Sequence, residues 1–337
     1  MSTAKLRSTV SDRTDWITEL SNAVRNPIEL CRLLNLPSHL AIASSNAADD
    51  YSVLVPRPYL ARIHPNDPSD PLLIQVLPTD SELTQVDRFT TDPLDEANAT
   101  HGPGLLWKYK NRVLMVTTRR CGVHCRFCFR RHFSCSSASR STLDLSPALK
   151  RIANEESIHE VILSGGDPLY LSDDELAELA DRLADIPHIR RLRIHTRLPV
   201  MIPQRIDDRL LSWLTTTRLT PFVVMHINHP SEIDLHVVNA FRRLIDAGVP
   251  VLSQTVLLRG VNDQLEVLAE LYEALIDIGV IPYYLHQLDQ VAGAAHFEVS
   301  VSTGTKLVEQ LRARLPGYAV PRYVRETVGA ESKELIV

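Results

Sequence analysis

From about residue 105 onward the chain repeats one rhythm: a short apolar run, a polar residue, then a stretch with helical spacing. Six such runs occupy residues 112–117, 161–163, 192–195, 222–226, 251–256 and 283–289. Between them, Leu176, Leu179, Ala180 and Leu183 fall at i, i+3, i+4 and i+7, and Leu265, Leu268, Tyr272 and Leu275 behave similarly. Short buried strands alternating with helices imply an α/β fold with a parallel sheet. Six units predict a partial (β/α)6 barrel rather than a closed eightfold one. Cys121, Asp167, His195, Arg197, His226, Asn228, Gln254 and Asp289 all stand at or just after a strand end. In barrels of parallel strands those ends carry the site, so these residues are expected to converge. A polar loop residue is ordinary at any one of these positions, but the regularity over six strands is not.

The loop after the first run reads CGVHCRFC at 121–128, a CxxxCxxC spacing. Thiolates at Cys121, Cys125 and Cys128 can hold three irons of a [4Fe-4S] cluster. The fourth iron is then open to a non-protein ligand, as binding and reductive cleavage of S-adenosylmethionine (SAM) require. The spacing is similar to the signature of radical SAM enzymes. A structural Cys3His zinc site using His124 or His132 is the bland alternative, but such sites split their ligands into two pairs and no second pair is visible. Five cysteines make an odd count, and the N-terminus lacks the apolar segment of a secretory signal, so disulfides are not expected. Cys31 reads as a small core residue and Cys135 as incidental.

The 337 residues are 44% hydrophobic and 23% charged, ordinary for a globular protein. A net charge of -5 argues against a general nucleic-acid binder. No apolar run is long enough to span a bilayer. With reduced cysteines, the expected compartment is cytoplasmic. Residues 1–104 read as a helical and irregular cover, 105–315 as the partial barrel, and 316–337 as a short C-terminal segment. Within the cover, one or two amphipathic helices run from Trp16 to Leu34, with Pro27 as a break and Pro37 beyond the end. Residues 57–60 and 72–78 read as packed irregular segments or short strands.

Longer motifs narrow the reading. WKYKNRVL (107–114), CRFCFRRHF (125–133), LSGGDPL (163–169), HINHP (226–230), QTVLLRGVND (254–263) and YYLHQLD (283–289) occur in order. Together they resemble the lysine 2,3-aminomutase family, from about residue 105 to the C-terminus. The CFRRHF run and the short tail resemble most the bacterial branch that makes β-lysine for elongation factor P.

The resemblance implies three cofactors: a [4Fe-4S] cluster, SAM and pyridoxal 5'-phosphate (PLP). It implies 1,2-amino migration in L-lysine, started by a 5'-deoxyadenosyl radical that takes hydrogen from the β-carbon. Ser164, Gly165, Gly166 and Asp167 match the segment lining the methionyl end of SAM, with the glycines giving the backbone close access to a ligand. His226 and Gln254 are expected to hydrogen-bond SAM. Lys333, in VPRYVRETVGAESK (320–333), matches the PLP lysine, although the family's run of glycines is reduced here to Gly329. Lys108 and Arg112 match positions that hold the PLP phosphate, and Tyr109 borders the ring. Arg130 matches the residue for the substrate carboxylate, and Asp289 and Glu326 those for the distal ammonium. Glu326 is an aspartate in the lysine-degrading members. The resemblance also implies an electron donor such as flavodoxin or ferredoxin, and a link to the ligase that lysylates elongation factor P. Two rivals are a radical SAM enzyme of another class without PLP and a non-catalytic zinc protein.

Overall fold

Each of the six apolar runs lies on a strand, and all of them share one sheet. The computed structural model describes residues 15–132 and 144–337. Cys135 and residues 1–14 lie outside the described residues. The strands are β1 (Leu105–Tyr109), β2 (Arg112–Thr118), β3 (Glu160–Gly165), β4 (Arg191–Thr196), β5 (Thr220–His226), β6 (Val251–Val256), β7 (Ile281–His286), β8 (Arg322–Arg325) and β9 (Glu334–Leu335). They pair in chain order without a crossover. β2 to β8 are parallel, with β1 antiparallel on β2 and β9 antiparallel on β8. β8 thus adds a parallel strand beyond the six expected, and β7 stops at His286, leaving Asp289 in the following loop.

Among the described residues, a helix of eight or more residues lies between each parallel strand and the next: Ser146–Ala153, Asp173–Ala184, Asp208–Thr216, Leu235–Asp246, Leu265–Ile278 and Val301–Arg314, with the short helix Leu198–Met201 also following β4. Leu176, Leu179, Ala180 and Leu183 are all buried against the sheet, as their spacing requires. A capping box of Ser172 and Glu175 starts that helix. The strands sort their side chains by the two-residue period. On β4, Leu192 and Ile194 are buried in the core while Arg193 and His195 face a central cavity. The outer face is therefore apolar and covered by helices, and the inner face is free to carry chemistry.

The N-terminal residues pack onto the same core through Tyr59, Leu72, Leu73 and Val76. Trp16–Ser21 and Pro27–Leu33 are separate helices, with Pro27 opening the second and Asn26 capping it. Arg57–Leu60 and Pro71–Ile74 are single helical turns rather than strands. In each, proline supplies a helical φ in the first turn, and Asp70 accepts from the backbone of Leu72 and Leu73. Among the described residues, no helix is long and apolar enough to cross a membrane.

Candidate active site

A cavity of about 490 Å³ runs through the sheet interior, from Arg112 and Glu160 to His226 and His286. Every residue given a cofactor or substrate role from the sequence lines it, whereas Asn228, also expected to converge there, is fully buried behind the wall and bonds to Gln75 and Val256 instead. Cys121, Cys125 and Cys128 enter from the loop after β2. That loop is stitched to the N-terminal cover by backbone bonds, His124 N to Leu54 O at 3.1 Å and Arg126 N to Gln75 O at 2.9 Å. Arg126 is fully buried between two of the cysteines and donates to Glu82 at 2.9 and 2.6 Å. Arg131 donates to the same carboxylate at 2.6 Å.

Arg197, just past β4, donates to Cys125 Sγ at 2.8 Å, to Gln75 Oε1 at 2.6 Å and to Glu232 Oε1 at 2.7 Å. Burial opposes its charge, but Cys125 and Glu232 more than offset that and hold its pKa up. Burial likewise lifts the Cys125 thiol, and Arg197 opposes the lift.

The SGGD turn meets this loop edge to edge. Gly166 N donates to Thr118 O and Asp167 N to Arg120 O, each at 2.8 Å. A Cβ on Gly166 would lie 2.1 Å from Arg120 O, and one on Gly165 (φ +114) would lie 2.7 Å from Thr118 O. Where a Cβ would project, both glycines pack against the backbone leading into Cys121, while their turn lines the cavity. The Asp167 carboxylate accepts from Thr196 Oγ1, Arg197 N, Leu198 N and Leu169 N, and so ties the end of β3 to that of β4.

The far end is a charge cluster. Lys333, between β8 and β9, donates to Glu326, and Lys108 on β1 donates to the same carboxylate at 2.9 Å. Lys108 also lies 4.0 Å from Glu96. Burial would raise the Glu326 pKa, but Lys333 and Lys108 pull it down to about 2. Asp289 moves the other way: burial, then the charge of Glu326, pushes it up to about 7. Arg130 forms a fork with Glu96 at 2.8 and 2.7 Å and reaches Ser164 Oγ at 3.3 Å. The Arg112 guanidinium lies 4.6 Å from the centre of the Tyr109 ring.

Three imidazoles face the cavity in the neutral form. Burial, aided by Lys333, lowers His286 to about 3, and burial holds His195 and His226 well below the usual value. His226 Nε2 sits 3.2 Å from Asn228 Oδ1, while Gln254 opens on the cavity from β6. Burial, and then the interaction with Glu326, raises the pKa of the Tyr109 hydroxyl, whereas His195 Nε2 and Arg193 Nε are buried without a hydrogen-bond partner among the described residues. Such orphans are costly unless a polar ligand answers them.

Sequence reasoning missed Glu82, Glu96 and Glu232. Each is an acid in a segment without periodicity, and its partner lies far along the chain. The arginines at 126, 130 and 131 were the available signal: three cations beside the cysteines call for buried anions.

Residues 115–272 match the Radical SAM superfamily model. The chain is 44% identical over 326 residues to the L-lysine 2,3-aminomutase of Haemophilus influenzae, covering 97% of this chain and 96% of that one. It is 43% identical to the L-lysine 2,3-aminomutase of Escherichia coli, covering 95% of this chain and 94% of that one. The enzyme of that name from Clostridium subterminale is 36% identical, covering 96% of this chain and 78% of that one. With identity of this order along nearly the whole chain, the protein belongs to the lysine 2,3-aminomutase family of radical SAM proteins.

Proposed function

We propose that this protein is an isomerase that moves the α-amino group of L-lysine to the β-carbon, using a [4Fe-4S] cluster, SAM and PLP. The observation that carries the reading is that three cysteines, a lysine, a buried arginine and two carboxylates line one cavity. The donor set fits a cluster. Among the described residues, no three His, Cys, Asp or Glu side chains are arranged to hold a single metal ion. A zinc site needs four ligands around one point, whereas a cubane takes each thiolate on a different iron. The other end fits PLP: Lys333 offers an amine, Arg112 a planar fork for phosphate, and Tyr109 a ring at the cavity wall.

When bound, SAM on the cluster supplies the radical and PLP carries the migrating nitrogen. The protein's own residues bind and orient. Arg130, held in plane by Glu96, takes the substrate carboxylate. Asp289 and Glu326 take the distal ammonium, which requires Asp289 to be ionised. Ser164, Gly165, Gly166 and Asp167 border SAM, with His226 and Gln254 as neutral hydrogen-bonding groups. Lys108 shares its charge with Glu326, beside the phosphate site of Arg112. The enclosed walls keep water from reactive intermediates.

The wider setting follows from the same resemblance. β-Lysine from this enzyme would serve a ligase that modifies elongation factor P, with flavodoxin or ferredoxin as the electron source and the cytoplasm as the compartment. The CFRRHF run at 128–133 supports this branch. The test is anaerobic reconstitution with iron and sulfide, then incubation with SAM, PLP, reductant and L-lysine. β-Lysine on chromatography is the expected result. Cleavage of SAM without β-lysine would favour a radical SAM enzyme of another class. Attachment of the isolated product to elongation factor P by the ligase tests the branch.

A further inference from the structure

Arg197 is placed by one carboxylate and aimed at one sulfur. Its backbone N–H donates to Asp167 Oδ2 at 2.7 Å, which fixes where the side chain starts. The guanidinium then spans three acceptors: Cys125 Sγ at 2.8 Å, Gln75 Oε1 at 2.6 Å and Glu232 Oε1 at 2.7 Å. Arg197 is 5% exposed and Glu232 0%. Glu232 is held in turn by Asn228 N at 2.7 Å, and Asn228 donates to Gln75 at 2.9 Å. A charge buried this way is poorly screened, so its effect on a neighbouring sulfur is strong.

We propose that Arg197 sets the reduction potential of the cluster through its hydrogen bond to Cys125, and that Glu232 limits how much of its charge the sulfur feels. The inference rests on the reading of Cys125 as a cluster ligand. Reduction adds one electron, supplied by an external low-potential donor, to a [4Fe-4S]2+ centre. No bond at Cys125 forms or breaks, and no proton is transferred. The added negative charge is stabilised by a cation and by an N–H aimed at sulfur, both of which raise the potential. An anion on the far side of the same guanidinium lowers it. Arg197 and Glu232 should therefore act with opposite signs. A purely structural role gives no such pattern, because loosening the loop from either side would shift the potential the same way.

The experiment is a redox titration followed by electron paramagnetic resonance, on the reconstituted full chain without SAM or lysine. Iron and sulfide are assayed on each sample. Arg197→Gln should make the cluster harder to reduce by about tenfold, a negative shift of ~59 mV for one electron. Arg197→Lys, which keeps charge but loses the fork, should fall between wild type and Arg197→Gln. Glu232→Gln should shift the potential to more positive values. Full iron and sulfide in Arg197→Gln with an unshifted potential overturns the proposal. If Arg197→Gln fails to hold a cluster, Glu232→Gln decides: a positive shift supports the proposal, and a negative or absent one overturns it. A wild-type protein that takes up no cluster would overturn the cluster reading itself, and this proposal with it.

Discussion

The two ends of the cavity handle buried charge in opposite ways. Around the cysteines, each of three guanidiniums has a carboxylate partner within the protein: Arg126 and Arg131 share Glu82, and Arg197 pairs with Glu232. Around Lys333 one carboxylate is paired and another is not. Glu326 accepts from two ammoniums, while Asp289 makes no salt bridge among the described residues and is pushed up to about 7 by burial and by Glu326. The first set of ion pairs is complete within the protein and ties down the loop that carries the cysteines. The second is balanced only while Lys333 carries its charge. Remove that charge, and two carboxylates face Lys108, leaving negative charge for a cationic substrate to meet.

The largest expected effect tests the uneven end. Lys333→Ala should abolish borohydride-fixable PLP while leaving iron uptake intact. Reduced PLP mapped to another lysine, such as Lys306, would break the assignment of the two ends.

Next comes the matched end. Glu82→Ala strands two buried guanidiniums, at a cost of ~3–5 kcal/mol. The thermal midpoint should fall and iron retention with it. A variant that melts with wild type and keeps its iron would mean the loop is held by something other than this carboxylate.

Asp289→Asn keeps the shape and removes the charge. We expect kcat/KM for lysine to fall roughly a hundredfold, about 3 kcal/mol, with cluster and PLP absorbance unchanged. The pH profile sharpens the point. With the Asp289 pKa raised to about 7, wild-type kcat/KM should rise as pH increases through that value, because only the anion pairs with an ammonium. The variant should lack this limb. For stability the sign is reversed. The folded state binds this proton more tightly than an ordinary carboxyl near 3.8, so its contribution is present below that pH and lost as pH rises through about 7.

Glu326→Asp should have the smallest effect, a few-fold loss in kcat/KM, since it shortens the reach and keeps the charge. A loss as large as that of Asp289→Asn would mean that the grip on Lys108 and Lys333 depends on chain length as well as charge.

Much of this was legible from residue order, and the physical reason differs by element. β2 to β7 are apolar runs with polar ends, which periodicity detects. β8 is four residues, RYVR, with exposed arginines flanking two buried side chains, and has too little length to register. The helix Ser38–Ala48 is built from small residues and buries only Ser44 and Ala47, so it shows no apolar stripe. At the site, the cysteines and the SGGD turn were visible because they are local in sequence. Glu82 with Arg126, Glu96 with Arg130, and Arg197 with Cys125 are contacts across 34 to 72 residues. Spacing cannot reveal such pairs, although their unpaired cations could be read. The Gly165–Gly166 pair carries a further constraint that residue order does not reveal, because the backbone leading into Cys121 leaves no room for a Cβ at either position.

The sheet begins at β1 and ends at β9, and those two edges are not hydrogen-bonded to each other. Two ion pairs among the described residues reach across: Lys108 to Glu326 at 2.9 Å, largely buried, and Lys110 to Glu331 at 3.5 Å, exposed. Every other joint of the ring is a backbone ladder, which dissolved salt leaves largely alone. This joint behaves as a clasp with an outer and an inner hook. The outer pair is 86% exposed on both sides and is screened at physiological ionic strength, while the inner pair is shielded by burial. Rising salt is therefore expected to weaken the outer hook, Lys110 with Glu331, before the inner one, Lys108 with Glu326.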